Sequence, residues 1–148
     1  MFVIDTNILV YAVDRNAADH RVCRQLLEKV RRRSDPWYLT WGIVYEFLRV
    51  TTHAAILKRP LTTGQAWEFL QALTAAPGME FLGETERHSH IAVEVFREVP
   101  SLVGNLVFDA HTAVLMRENG VRSIYTRDTD FQQFRFLEVL DPAHFRHS

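Results

Sequence analysis

The spacing of apolar residues predicts an alternation of strands and helices along the whole chain. Phe2-Val3-Ile4 is a short apolar run with two β-branched residues, the pattern of a strand buried on both faces. After Asp5-Thr6-Asn7 the chain is apolar again, and residues 8–12 open a short helix or turn. Val22, Leu26, Leu27 and Val30 form a helical stripe within 19–33, which Ser34-Asp35-Pro36 ends. A strand over 37–40 follows, with Thr40 as N-cap of a helix running to about residue 52. Thr62 and Gln65 form a capping box ahead of Trp67, Phe69, Leu70 and Leu73. Pro77-Gly78 is a turn and 79–82 a short strand. His88, Ile91, Ala92, Val95, Phe96 and Val99 share one helical face, stopped by Pro100. A last helix spans 105–119 and closes at Gly120, followed by a strand over 121–126, a single turn at 130–134 and a strand over 136–140. Asp141-Pro142 begins a tail.

Strands alternating with helices predict an α/β sandwich with a mostly parallel sheet. The helix pair between 41 and 76 interrupts strict alternation, and is expected either to project as an arm or to cover one end of the sheet. The chain has 148 residues, 47% of them hydrophobic, which suits one domain with a real core and excludes disorder. A single cysteine, Cys23, excludes an internal disulfide framework and cysteine-rich zinc modules, and its apolar neighbours read as core. There is no internal repeat, no low-complexity segment, no membrane span and no signal-peptide pattern, so a cytoplasmic, soluble protein is expected.

The acids change this picture. Asp5 falls at the carboxyl end of the first strand, and Asp128 and Asp130 just beyond the strand at 121–126. Asp109 lies in the first turns of the helix from 105, and Glu46 about two turns into the helix after the second strand. In a parallel sheet, strand ends and the following helix starts share one edge, where ligands bind. Taken singly, Asp5 serves equally as a helix cap, Glu46 as a solvated residue, Asp109 as a helix-dipole partner and Asp128 and Asp130 as turn residues. Together they would repel: two unit charges ~4 Å apart cost about 4 kcal/mol at an effective dielectric near 20. Either protons or cations must fill such a gap. All-oxygen ligands select Mg²⁺ or Mn²⁺, and the compatible reaction class is metal-assisted phosphodiester hydrolysis. Thr6 and Asn7 would orient the Asp5 carboxylate.

The ordered set "FVIDTNILVYA", Glu46, "GNLVFDAHTAVLMRENG" and "IYTRDTDF" resembles a PIN-domain ribonuclease, most of all the VapC toxin of a VapBC toxin–antitoxin pair. The resemblance runs from Phe2 to the "LDPAHF" segment. It implies a PIN-like three-layer α/β/α sandwich with a mostly parallel central sheet, and one domain over 1–148. It also implies a Mg²⁺- or Mn²⁺-dependent endoribonuclease with Asp5, Glu46, Asp109 and Asp128 as metal ligands. Asp130 matches a further acid and Thr126 a supporting hydroxyl. Glu46 or Asp130 would act as general base. The implied partners are a structured RNA such as tRNA or ribosomal RNA, a VapB-type antitoxin and a second copy in a homodimer. The antitoxin is expected in an apolar groove within 41–76. The implied products carry 5′-phosphate and 3′-hydroxyl ends, because water rather than the ribose 2′-OH attacks.

Net charge is −1, yet with five of the 18 acids in one pocket, 13 remain against 17 Lys and Arg. That mild surplus suits a polyanion. Arg15, Lys58, Arg59 and Arg127 are candidate phosphate contacts, whereas Arg31-Arg32-Arg33 reads as a helix C-terminus. His111 reads as either a substrate contact or a satisfied histidine. Trp37, Tyr38, Trp41, Tyr45 and Phe47 read as core or a dimer surface, with base stacking as the other use. Two rival functions remain. One is a catalytically inactive PIN-like binding module. The other is a phosphotransfer domain, which the absence of any lysine after Lys58 and the presence of Asn7 two residues past Asp5 disfavour.

Overall fold

The computed structural model describes residues 1–145. The N-terminal apolar run forms β1 (Phe2–Ile4), the central strand of a five-stranded sheet. Val3 and Ile4 point to opposite faces and both are fully buried, so the sheet is covered on both sides. The chain continues through α1 (Thr6–Val13), α2 (His20–Val30), β2 (Trp37–Leu39), α3 (Trp41–Thr51), α4 (Thr63–Thr74) and β3 (Met79–Phe81). Then come α5 (His88–Glu98), α6 (Leu106–Glu118), β4 (Ser123–Tyr125), a 3-10 turn (Thr129–Gln133) and β5 (Glu138–Leu140). All four ladders are parallel, in the order β3-β2-β1-β4-β5.

That order places β1 between a strand that follows it directly and one that arrives after most of the chain. The sheet therefore reverses its direction of winding beside β1, and the crevice between the carboxyl ends of β1 and β4 is where such sheets bind ligands.

Local signals account for the element boundaries. Thr40 caps α3 through a 3.1 Å bond from the Ile43 amide. Thr62 and Gln65 bond reciprocally at 3.0 and 3.1 Å at the start of α4. Gly120, with φ of 71°, closes α6. Gly78 lies so close to the loop before β2 that a Cβ there would sit 2.3 Å from the Asp35 carbonyl oxygen. Several boundaries differ from the sequence pattern: β4 and β5 begin two residues later than expected, at Ser123 and Glu138, and two helices shift as well. α1 begins at Thr6, so Thr6 and Asn7 are already helical. α2 ends at Val30, because the amides of Arg32 and Arg33 fold back onto Lys29 and Val30.

The helix pair α3 and α4 packs on the body: Phe47 stacks on Phe69 with centroids 5.2 Å apart, and Ala66, Leu70 and Leu73 join the continuous core. No helix among the described residues is long and apolar enough to cross a membrane.

Candidate metal centre

Asp5 sits where β1 ends. Its amide donates to the Tyr125 carbonyl at 3.0 Å, extending the pairing with β4 and fixing the residue against the neighbouring strand end. Its side chain is then held by three donors. The Thr6 amide reaches Oδ1 at 2.8 Å, while the Thr126 hydroxyl and the Asn7 amide reach Oδ2 at 2.7 and 3.1 Å. Asp5 thus caps α1 and faces the crevice at once, which unites its two readings.

Thr126 is the hinge of this network. Its hydroxyl donates to Asp5 and accepts from Asn7 at 3.1 Å and from the Asp128 amide at 2.9 Å. Asn7 in turn accepts from the Arg127 amide at 3.1 Å. Thr6 donates from its hydroxyl to Glu46 Oε2 at 3.1 Å, bringing the second turn of α3 to the end of β1. Thr6, Asn7 and Thr126 therefore all hydrogen-bond to carboxylates of the crevice, Thr6 and Asn7 beside Asp5 in the chain and Thr126 from the end of β4.

Asp5, Glu46, Asp109 and Asp128 line one cleft of about 350 Å³. Asp109, Asp128 and Asp130 each bring a carboxylate oxygen within 4.8 Å of the others, close enough to share one cation. Asp130 is exposed, and its amide donates to Asp128 Oδ1 at 2.9 Å. Burial is the largest influence on Asp5 and raises its carboxyl to about 6, against the bonds from Thr126 and Thr6; the charges of Glu46 and Asp128 add to the rise. Burial again leads at Asp109, followed by the charges of Asp5, Asp128, Glu46 and Asp130, and lifts it to about 7. An all-oxygen set whose members repel fits a hard divalent cation.

Tyr11 and Asp14 also line the cleft, together with Val50, Ile56 and Leu57. The sequence reading missed Tyr11 and Asp14, although Asn7 and Tyr11 stand one turn apart on α1 and Asp14 caps its end, a helical spacing that puts the three on one face. Leu57 and Ile56 belong to the connection after α3, which carries no chemical signature.

The basic candidates divide. None of Arg15, Lys58 and Arg59 lines the acidic cleft: Arg15 lines a separate depression among α1, α2 and α4, and Lys58 and Arg59 follow the cleft-lining Leu57 in the chain. Arg127 instead reaches Asp19 and Asp141 with its two terminal nitrogens, both at 3.1 Å, and ties α2 and the residues after β5 to the end of β4. The Arg31–Arg33 run covers the end of α2, with Arg33 paired to Asp35 at 2.6 Å. His111 turns Nε2 toward Glu84 at 3.4 Å. One contact of a buried acid has no counterpart in the sequence reading: Glu118, at the end of α6, accepts from the Thr85 amide and from the half-buried His88 Nδ1, locking the start of α5 onto α6.

Known proteins share this plan. The PIN domain family model matches residues 2–137. A curated relative from Mycobacterium tuberculosis, Ribonuclease VapC48, is 33% identical over 141 residues, covering 93% of this chain and 94% of its own. Among solved structures, VapBC2 from Rickettsia felis bound to a DNA fragment from their promoter superposes with a TM-score of 0.67 at 14% identity, covering 95% of this chain and 97% of that one. VapC20 from Mycobacterium tuberculosis, a sarcin–ricin loop cleaving toxin, gives 0.61 at 16% identity, covering 89% and 93%.

Proposed function

Since the chain belongs to the PIN-domain family, we propose that it is a divalent-metal-dependent endoribonuclease acting as the toxin of a VapBC-type pair. The observation that carries this reading is the convergence of Asp5, Glu46, Asp109 and Asp128 on one cleft at the sheet's reversal point. The names of the relatives support the activity and the partner class.

Asp5, Asp109 and Asp128 would hold Mg²⁺ or Mn²⁺, with Glu46 holding the same ion or a second one. A bound cation supplies a water of lowered pKa and offsets the charge that builds on the phosphoryl oxygens. The chain's own groups do the rest. Thr126, Asn7 and the Thr6 amide keep the Asp5 oxygens in place, and Thr6 holds Glu46 toward the cleft. Glu46 or Asp130 accepts the proton of the attacking water. Arg15, Lys58 and Arg59 meet the RNA backbone. Arg127 is left out of that set, because Asp19 and Asp141 already neutralise it. A tRNA or ribosomal RNA substrate, a VapB-type antitoxin on the helices within 41–76, a homodimer and a cytoplasmic location complete the reading.

Purified protein incubated with total tRNA and ribosomal RNA in Mg²⁺, Mn²⁺ or EDTA tests it. Metal-dependent cleavage leaving 5′-phosphate ends, abolished in Asp5→Asn, is the expected result. Cleavage that persists in EDTA, or ends carrying a 2′,3′-cyclic phosphate, would remove the metal mechanism. An Asp5→Asn protein that inhibits growth as the wild type does would turn the chain into a binding module.

A further inference from the structure

Beside the carboxylates, the wall of the acidic cleft is built from the last turn of α1, the end of α3 and the connection that follows it. Val10, Val50 and Leu57 make that wall apolar, and Ile56 extends it at 50% exposure. Two polar groups interrupt it, Tyr11 and Asp14, three residues apart and so neighbours on one helical face. A count of hydrogen-bond donors singles out the first. Both Asn7 amide protons are spent on Asp5 and Thr126, at 3.1 Å each, and the Thr6 hydroxyl proton is spent on Glu46. The other polar side chains of the cleft are carboxylates, which only accept once a cation holds them ionised. Among the described residues the Tyr11 hydroxyl has no hydrogen-bond partner, so it is the side-chain donor the cleft has left for a ligand. Asp14 gives Oδ1 to the Asn16 amide at 3.0 Å, and its Oδ2 has no partner among the described residues. A donor and an acceptor stand side by side.

Such a pair matches a hydroxyl, which accepts and donates at once. A basic side chain from a protein partner would use Asp14 and meet Tyr11 as one more donor. A phosphate would use Tyr11 and be repelled by Asp14. Along an RNA backbone the group that satisfies both is the ribose 2′-hydroxyl, the group by which a protein tells RNA from DNA. When water attacks the phosphorus, that hydroxyl takes no part in the bond breaking, and a deoxyribose strand is equally competent in the chemistry. The sugar must then be selected by contact. We infer that Tyr11 and Asp14 together read the 2′-hydroxyl of a nucleotide beside the scissile phosphate. The Tyr11 hydroxyl donates to its oxygen, Asp14 Oδ2 accepts from it, and the carbon face of the ribose lies on the apolar wall. The inference rests on the nuclease reading and deepens it, by naming the group on the substrate that sets RNA apart from DNA.

The test uses the full chain with Asp109→Asn as a cleavage-silent background with one charge fewer in the cleft. Anisotropy of a fluorescein-labelled single-stranded RNA of mixed sequence is compared with that of the deoxyribose strand of the same base sequence. The parent is expected to prefer RNA about tenfold. Tyr11→Phe keeps the ring and removes the donor, and Asp14→Ala removes the acceptor. Each is expected to reduce that preference about fivefold, the effect of one hydrogen bond, with circular dichroism unchanged. A parent that binds both strands alike, or a preference within twofold of the parent's in both variants, would overturn the proposal. Affinity lost equally for both strands would overturn it too, and assign the pair to a base edge or to the packing of the cleft wall. Wild-type protein that cuts neither strand in Mn²⁺, beside an RNA preference that depends on Tyr11, would defeat the nuclease reading and leave the ribose contact standing.

Discussion

In the metal-free protein, Asp109 should act against folding. Its carboxyl ionises near 3.8 when unperturbed and is raised to about 7 in the fold by burial and four neighbouring acids. Between those values the folded chain keeps a proton that the unfolded chain has released. Stability therefore falls as pH rises through the window from about 4 to about 7, and the full penalty applies above it. At 1.36 kcal/mol for each pKa unit the shift corresponds to about 4 kcal/mol. Asp109 is only partly buried, and solvent screening reduces this to about 2 kcal/mol. Asparagine at 109 keeps the shape and cannot ionise. Asp109→Asn should thus match the wild type at pH 4 and exceed it by about 2 kcal/mol at pH 8, roughly 4–8 °C in melting temperature for a chain of this size. Urea unfolding in EDTA at several pH values measures the difference. Saturating Mn²⁺ should raise the wild type and leave the variant nearly unmoved. A variant that is less stable at pH 8, or an advantage independent of pH, would refute the argument that crowded charge sets the energy of this cleft.

Thr126→Val removes the donor to Asp5 and strands the Asp128 amide; a loss of about 1–2 kcal/mol in urea unfolding and at least a tenfold drop in Mn²⁺ affinity by titration are expected. Glu118→Gln replaces an acceptor of two bonds by a group that must turn a donor toward Thr85 or His88, and should cost about 2 kcal/mol in the same unfolding assay. Thr62→Ala breaks the capping box of α4, whose two residues do not line the acidic cleft; about 1 kcal/mol of stability is lost, and RNA cleavage by the folded protein stays unchanged.

Much of this arrangement was legible in the chain because it follows from periodicity and topology. The run Phe2-Val3-Ile4 reads as a doubly buried strand, the Thr62 and Gln65 pair as a helix start, and Gly120 as a helix end, and each occupies that position. Once strands and helices alternate in parallel, Asp5 and Asp128 must fall on one edge. Side-chain traffic across that edge was not legible. Arg127 looks the same in sequence whether it meets a phosphate or the carboxylates of Asp19 and Asp141. Glu118 follows a helical stripe and precedes a cap, and only the approach of α5 makes it a buried acceptor. Tyr11 and Asp14 share a face with Asn7, but that face becomes a wall only when the connection at Ile56 and Leu57 closes over it.

The threefold grip of Thr126 also sets an order of events during synthesis. Three of the four clustered acids precede Gly120, yet the group that anchors Asp5 and the fourth acid both lie on the far side of β4. A nascent chain that has folded everything up to α6 still lacks an assembled centre. Cutting activity would switch on only when β4 slides in beside β1, which leaves the ribosome making this protein an interval in which its product is harmless.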